Sequence, residues 1–151
     1  TPSTGGNFIA GGSTGYIVTS HADGTASGNW YHAFRYNTNL IGSITQSGTT
    51  AVLYNTSSDA RLKDVTGKAK GLEIINKLNP VAYNWKADNK SDEGLIAQEV
   101  EEIVPNSVSK GDDGYYQMDY SKLVTPLIKA VQEQQEQIES LKSEIAKLKG
   151  E

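Results

Sequence analysis

The chain has 151 residues, no cysteine and a formal net charge of −4. The absence of cysteine excludes both a disulfide framework and a thiolate metal site. A mildly acidic chain without a basic stripe is poorly suited to covering phosphates, so we expect no nucleic-acid binding. Its apolar runs fall short of the roughly 20 residues that a membrane-spanning helix needs. We therefore expect a soluble protein that does not engage a membrane.

Charged residues are distributed unevenly along the chain. Residues 1–57 carry one base, Arg35, and one acid, Asp23, so the other 13 bases and 17 acids lie in residues 58–151. The first part is instead rich in Gly, Ser, Thr and Asn, and this change of composition predicts a boundary at Ser58. Because the chain begins with threonine and has a single internal methionine, we expect it to be part of a longer protein.

Short apolar or β-branched patches in the first part predict strands at residues 15–19, 30–36, 40–45 and 50–54. So little apolar material could hardly close a core within one chain. We therefore expect these strands to pack against copies of themselves from other chains, with disorder as the alternative. The two histidines of the chain have no cysteine or acidic cluster beside them, so we expect no metal site and no cofactor.

The middle of the chain mixes helical and strand patterns. Residues 71–78 predict a short helix ended by an Asn-Pro pair, and residues 81–85 alternate like a strand. Residues 88–92 are predicted to be a polar loop. Residues 94–104 predict a strand or turn that passes into a helix with Ile96, Val100 and Ile103 facing inward.

Residues 121–151 are predicted to form one long helix, in which a proline falls near the start, where it costs least. Positions three and four residues apart alternate along one side in the heptad pattern of a coiled-coil seam. We therefore expect oligomerisation, with an isolated amphipathic helix as the alternative. The predicted seam consists of Val124, Leu127, Val131, Gln134, Ile138, Leu141, Ile145 and Leu148.

The hexapeptide Ser58-Asp59-Ala60-Arg61-Leu62-Lys63 lies at the change of composition and holds a hydroxyl and an amine close together. If the chain turns between them, Lys63 can reach back to Ser58, and a partly desolvated lysine can take a proton from Oγ as the neutral amine. We therefore predict a self-cleavage site. Such pairs also occur by chance, so a solvated turn is the alternative. Asp59 and Arg61 are expected to set the turn rather than perform chemistry.

Four parts of the chain carry a resemblance to a known family. They are residues 58–65, residues 78–85, residues 94–100 with Val104-Pro105, and residues 118–123 before the long helix. Together, from Ser58 to about Gln137, they resemble the C-terminal intramolecular chaperone domain of phage tail spikes and tail fibres, the endosialidase-type auto-processing family.

This resemblance implies an α+β fold in an intertwined homotrimer. Residues 1–57 are then the end of a β-rich fibre stem, residues 58–120 a small mixed α/β chaperone body with the self-cleavage site, and residues 121–151 a coiled-coil trimerisation helix. By themselves, β-branched residues at a positions with leucine at d positions lean towards a dimer. We follow the resemblance and expect a trimer.

The resemblance also implies the function. The domain would assist folding of the upstream stem of its own chain and then release itself as a serine endopeptidase that cuts once. Ser58 and Lys63 match the nucleophile and the base of the family's Ser-Lys dyad, and the cut falls between Ser57 and Ser58. We expect the mature stem in the virion tail, where the parent fibre meets a host cell-surface receptor. The released domain is expected in the cytoplasm of the infected host.

Two other functions are open at this point. The first is a purely structural trimeric fibre tip, in which the serine and the lysine are incidental. The second is a non-enzymatic tip that binds a host-surface glycan through Tyr31, Tyr36, Tyr115 and Tyr116. Neither accounts for the change of composition at the hexapeptide.

Overall fold

The computed structural model describes residues 27–150, so the strand predicted at residues 15–19 lies outside the described part of the chain. The chain divides into two compact units, an N-terminal unit that ends at Val65 and a C-terminal unit that begins at Thr66. The predicted boundaries at residues 57 and 120 concern processing and assembly, which a division by packing does not test.

An antiparallel sheet of three strands in the order β1-β2-β3 forms the described part of the N-terminal unit. The strands are β1 Trp30–Tyr36, β2 Asn39–Ser47 and β3 Ala51–Thr56, which confirms the three strands predicted in this region. Asn37 closes the first hairpin with a φ of 53°, a left-handed conformation that asparagine tolerates better than most residues.

The distribution of buried and exposed side chains in this sheet is the reverse of the usual one, in which apolar side chains are buried and polar ones are exposed. Its buried residues are polar, namely Ser43, Thr45 and Gln46, whereas most of its large apolar side chains are exposed. Such a surface is informative because soluble chains seldom leave large contiguous apolar patches in water. The described residues do not cover these side chains, which include Trp30, Phe34, Tyr36, Val52, Leu53 and Tyr54.

The C-terminal unit combines two small antiparallel sheets with three helices, which confirms a mixed α+β fold with a C-terminal helix. One sheet pairs β4 Val81–Asn84 with β5 Ser91–Gly94, and the other pairs β6 Val108–Lys110 with β7 Tyr116–Met118. The helices are α1 Leu72–Ile75, α2 Ala97–Glu101 and α3 Val124–Lys149. Short 3-10 turns lie at Pro105–Ser107 and Tyr120–Leu123.

A small core holds this unit together. Val100 of α2 is 1% exposed and packs with Val104 and Leu123, and partly buried side chains such as Ile103 surround them. The inward positions predicted for Val100 and Ile103 are confirmed. Ile96 was predicted to face inward as well, but it is exposed, because α2 begins only after it.

The prediction of a polar loop over residues 88–92 was wrong at its end. Residues 91 and 92 belong to β5, which pairs in register with β4. The segment Ser-Asp-Glu-Gly carries no apolar side chain, so its sequence gave no strand signal. It forms a strand because its backbone groups pair with those of β4, while most of its side chains stay in water.

Helix α1 packs closely on one side of α3. Gly71 is buried, and a Cβ added to it would lie 2.5 Å from the backbone nitrogen of Ala130, so the approach needs a glycine. The Leu72 N–H donates to Glu133 Oε2 at 2.8 Å. This contact occupies one side of α3 within its own chain. No helix among residues 27–150 is long and apolar enough to cross a membrane.

Candidate functional site

The structure brings Ser58 and Lys63 together in the N-terminal unit. Lys63 Nζ donates a hydrogen bond to Ser58 Oγ at 2.7 Å, across five residues of chain. Both residues follow β3, and both are exposed in the single chain. The hydroxyl and the amine therefore lie at the distance that a proton transfer between them requires.

A short turn makes this contact. The Asp59 carboxylate caps the 3-10 turn Ala60–Leu62 by accepting from the Arg61 N–H at 2.8 Å. The same carboxylate accepts from Arg61 Nε at 3.0 Å and from its Nη2 at 2.7 Å. The Lys63 N–H then donates to the Ala60 carbonyl at 3.2 Å. Asp59 and Arg61 thus set the turn, as their sequence positions predicted.

The Arg61 side chain, followed by the Arg61 backbone N–H, holds the pKa of the exposed Asp59 carboxyl below its ordinary value of 3.8. A carboxyl whose pKa is lowered by folding stabilises the fold at pH values above its ordinary pKa. That contribution is lost as the pH falls through the lowered pKa. The ionised Asp59 carboxylate therefore favours the turn that positions Lys63 at neutral and mildly acidic pH.

Ser57, on the other side of the predicted cut, is attached to the sheet. Its N–H donates to the Ile41 carbonyl at 3.2 Å, and its Oγ donates to the Leu40 carbonyl at 3.0 Å. The residue extends β3 by one position beyond Thr56. Sequence reasoning missed both contacts, because no local pattern identifies the strand residue opposite Ser57.

The chemistry open to the Ser58–Lys63 pair depends on the charge of the amine. A protonated lysine can only donate to the serine hydroxyl, whereas a neutral amine can accept its proton and make the oxygen a nucleophile. Loss of water around a lysine favours the neutral form. The arrangement therefore suits a serine nucleophile with a lysine base wherever the pair is shielded from solvent.

The predicted seam residues lie along one side of α3. Their apolar members are between 45% and 87% exposed in the single chain, and Gln134 is exposed among them. Pro126 and Ala130 are buried instead, and the Ala130 backbone lies against Gly71, the residue that precedes α1. Helix α3 thus uses one side within its own chain and leaves the seam side uncovered by the described residues.

The four tyrosines predicted for glycan contact are divided between the two units. Tyr31 and Tyr36 belong to the N-terminal unit, whereas Tyr115 and Tyr116 belong to the C-terminal unit. Tyr36 and Tyr115 are exposed, and Tyr31 and Tyr116 are partly buried.

Sequence reasoning missed an aromatic groove of about 620 Å³ in the C-terminal unit, lined in part by Tyr83, Trp85 and Tyr120. Asp92 Oδ2 accepts from Trp85 Nε1 at 3.2 Å and from the Tyr83 hydroxyl at 3.5 Å. Desolvation, and then the Asp92 charge, raise the pKa of Tyr83. Alternation over residues 81–85 did predict Tyr83 and Trp85 on one side, but Asp92 comes from the strand that the sequence did not reveal.

No group of three histidine, cysteine or acidic side chains that could hold a metal ion occurs within the described ranges. His32 lies on β1, and His21 lies outside the part of the chain that the structure describes.

The described chain is therefore a β-sheet unit, followed by a Ser-Lys turn and a small α+β unit with a long C-terminal helix. Residues 58–109 match the family model Peptidase_S74, which is described as the chaperone of endosialidase. This match supports assignment of that segment to the C-terminal chaperone domain family. The family's description supports a chaperone role, and its name classes it as a peptidase. No curated protein matches the chain.

Proposed function

We propose that the segment from Ser58 onward is an intramolecular chaperone for a phage tail fibre or tail spike, which trimerises and then releases itself by cutting the chain between Ser57 and Ser58. The observation that carries this proposal is the 2.7 Å hydrogen bond between Lys63 and Ser58. It lies where the family match begins, at residue 58.

The cut proceeds through an ester. The neutral Lys63 amine removes the Ser58 Oγ proton, and Oγ forms a bond to the Ser57 carbonyl carbon. The bond from that carbon to the Ser58 nitrogen then breaks, and the lysine ammonium returns its proton to the leaving amine. Water, deprotonated by Lys63, next attacks the ester carbon, and the bond from that carbon to Oγ breaks as the lysine ammonium returns the proton to Oγ. The carboxylic acid formed on Ser57 then loses its proton to water. This second step leaves a carboxylate on Ser57 and restores the Ser58 hydroxyl.

Assembly of the chains supplies the exclusion of water that Ser58 and Lys63 lack in the single chain. Ser58 and Lys63 are exposed in the single chain, whereas a lysine base works as the neutral amine, which desolvation favours. Neighbouring chains that pack around the turn would exclude water from it. Cleavage is therefore a property of the assembled trimer, and the domain keeps three stems aligned until they have folded.

The charges beside the seam support a parallel arrangement of the helices. Under the heptad assignment that places Val124 at a, Lys142 and Lys149 fall at e positions and Glu144 falls at a g position. In a parallel coiled coil Glu144 of one chain faces Lys149 of the next, which is an attractive pair. An antiparallel pairing, in which e positions face e positions and g positions face g positions, would not form this attractive pair. Parallel helices are what a domain at the end of three aligned stems requires.

The exposed apolar side chains of the sheet support the stem assignment. Chains that pack around a common axis would bury Phe34, Val52 and Tyr54, which a single chain leaves in water. The sheet then forms the end of the mature stem, which stays in the virion tail, while the released domain remains in the cytoplasm of the infected host. The parent fibre meets a receptor on the host cell surface.

The mass of the purified protein tests the proposal. The wild-type chain should give two species divided between Ser57 and Ser58, and Ser58→Ala should give one intact chain that still assembles, because the substitution removes only the attacking oxygen. Ser57→Ala is the matched control, since it loses a hydroxyl one residue away and keeps the nucleophile. It should still be processed. A Ser58→Ala chain that is cut at the wild-type rate would show that the dyad is wrongly assigned.

A further inference from the structure

The aromatic groove of the C-terminal unit takes no part in the proposed cleavage. Its walls come from β4, β5 and β7, from the start of α2 and from the segments beside them, so they lie within one unit. Its volume of about 620 Å³ is within the range of about 300–1,000 Å³ that is typical of ligand pockets. Trp85 and Tyr120 are 54% and 52% exposed, so much of the aromatic wall faces water. The groove is therefore open to a partner.

The Asp92 carboxylate lies beside two of these aromatic rings. The rings of Tyr83 and Trp85 meet at 87° with their centroids 5.3 Å apart, and Asp92 Oδ2 accepts a hydrogen bond from each residue. Among the described residues, Asp92 Oδ1 accepts one hydrogen bond, from the Glu93 N–H at 2.8 Å, and no lysine or arginine forms an ion pair with the carboxylate. A carboxylate oxygen can accept two hydrogen bonds. The groove thus holds a negative charge that no cation balances and that has a free acceptor position.

The aromatic walls favour a cation as well. The face of an aromatic ring attracts a positive charge that lies within about 6 Å of its centre. One wall already shows this attraction, since Lys110 Nζ lies 5.2 Å from the ring centroid of Tyr116. The described residues that line the groove include no lysine and no arginine. A cation from another molecule would therefore meet both ring faces and the Asp92 charge in this groove.

We propose that the groove binds an arginine side chain carried by an extended peptide segment of another protein. A guanidinium is planar, so it can stack on an aromatic ring while it donates to a carboxylate, and it gives up water more readily than a lysine ammonium does. Leu95, Ile96 and Met118 also line the groove and provide apolar surface for the arginine stem and for an apolar neighbour in the peptide. This inference goes beyond the proposed function and does not depend on the cut.

Two short peptides of matched shape test this inference on the full chain. Acetyl-Leu-Arg-Leu-amide carries the charge, and its counterpart with citrulline in place of arginine has a similar side chain without the charge. The chain has two tryptophans, so Trp30→Phe leaves Trp85 as the single tryptophan whose fluorescence reports binding. We expect a saturable change of Trp85 emission with the arginine peptide, and binding of the citrulline peptide that is about fivefold weaker. Added salt should weaken binding of the arginine peptide alone.

Asp92→Asn locates the binding site, because it removes the charge and keeps an oxygen that can accept from Trp85. In the Trp30→Phe chain, this variant should bind the arginine peptide as weakly as the citrulline peptide. Glu136→Gln is the matched control, since it removes one exposed negative charge about 18 Å along α3 from the first residue of that helix, and it should bind like the parent chain.

The comparison of the two peptides needs no substitution in the groove, so it decides the question even if Asp92→Asn fails to fold. Equal binding of the arginine and citrulline peptides, or no binding of either, would overturn the inference. So would an Asp92→Asn chain that is folded and keeps the full preference for arginine.

Discussion

Replacing Ile138 and Ile145 with aspartate is the sharpest test of coupling between assembly and cleavage. Both side chains lie at a positions of the predicted seam and are 45% and 49% exposed in the single chain. Full burial of an isoleucine stabilises by about 1.5–3 kcal/mol, so burial of the remaining half contributes about 1 kcal/mol for each side chain. Six such side chains in a trimer contribute about 6 kcal/mol, which changes the assembly constant about 10⁴-fold.

The aspartates add a penalty to that loss, because their carboxylates would have to leave water at the centre of the seam. We therefore expect the double variant to be monomeric at micromolar concentration. Analytical ultracentrifugation reports the oligomer, and a denaturing gel of the same sample reports the cut. The variant should remain a chain of full length, since the turn at Ser58 is not shielded in a monomer.

Ser140→Asp with Ser143→Asp is the matched control, because it adds the same two charges to the same helix, outside the predicted seam positions. Both serines are exposed in the single chain. This variant should assemble and cut like the wild-type protein. Efficient cleavage by an Ile138→Asp, Ile145→Asp chain that is demonstrably monomeric would refute the idea that cleavage depends on assembly.

Three further predictions concern single positions. Lys63→Arg should be as inactive as Lys63→Ala in the gel assay, because a guanidinium stays protonated and cannot serve as a base; robust cutting would show that only the positive charge matters. Asp59→Ala should slow cleavage more than Asp59→Asn, which keeps a capping oxygen. In the wild type, the NMR signal of the Arg61 Nε–H should titrate with a midpoint below 3.8, the ordinary pKa of the carboxyl, since the Asp59 pKa is lowered. Val100→Ala should reduce the free energy of unfolding in urea by about 2–3 kcal/mol, whereas Val65→Ala, at a site that is 91% exposed, should leave it unchanged.

Local patterns in the sequence predicted much of the fold. The apolar and β-branched runs gave all three strands of the N-terminal sheet, and the heptad spacing gave the extent of α3. The spacing of Ser58 and Lys63 predicted their contact, because Asp59 and Arg61 between them are residues that close a short turn. In each case the residues that gave the prediction lie within a few positions of the residues whose structure they determine.

Features that depend on residues far apart in the chain were not predictable in this way. Strand β5 has no apolar side chain and exists through its pairing with β4. The groove residue Tyr120 meets Leu95 by accepting its N–H at 3.0 Å, across 25 residues. Likewise, the contact of Ser57 with Leu40 follows from the register of β2 and β3. Register is set by turn geometry and by the alternation of apolar and polar residues. The turns and the alternation of these strands are common ones, so they do not identify the pairing partner of Ser57.

The two hydrogen bonds at Ser57 also have a consequence for the product of the cut. Both lie on the Ser57 side of the proposed cut, together with the sheet, so cleavage between Ser57 and Ser58 would leave them in place. Chain ends usually fray unless something ties them down, and exopeptidases degrade proteins from such loose ends. If the chain is cut there as proposed, the new carboxyl terminus is already hydrogen-bonded to β2, and we expect the end of the stem to resist a carboxypeptidase.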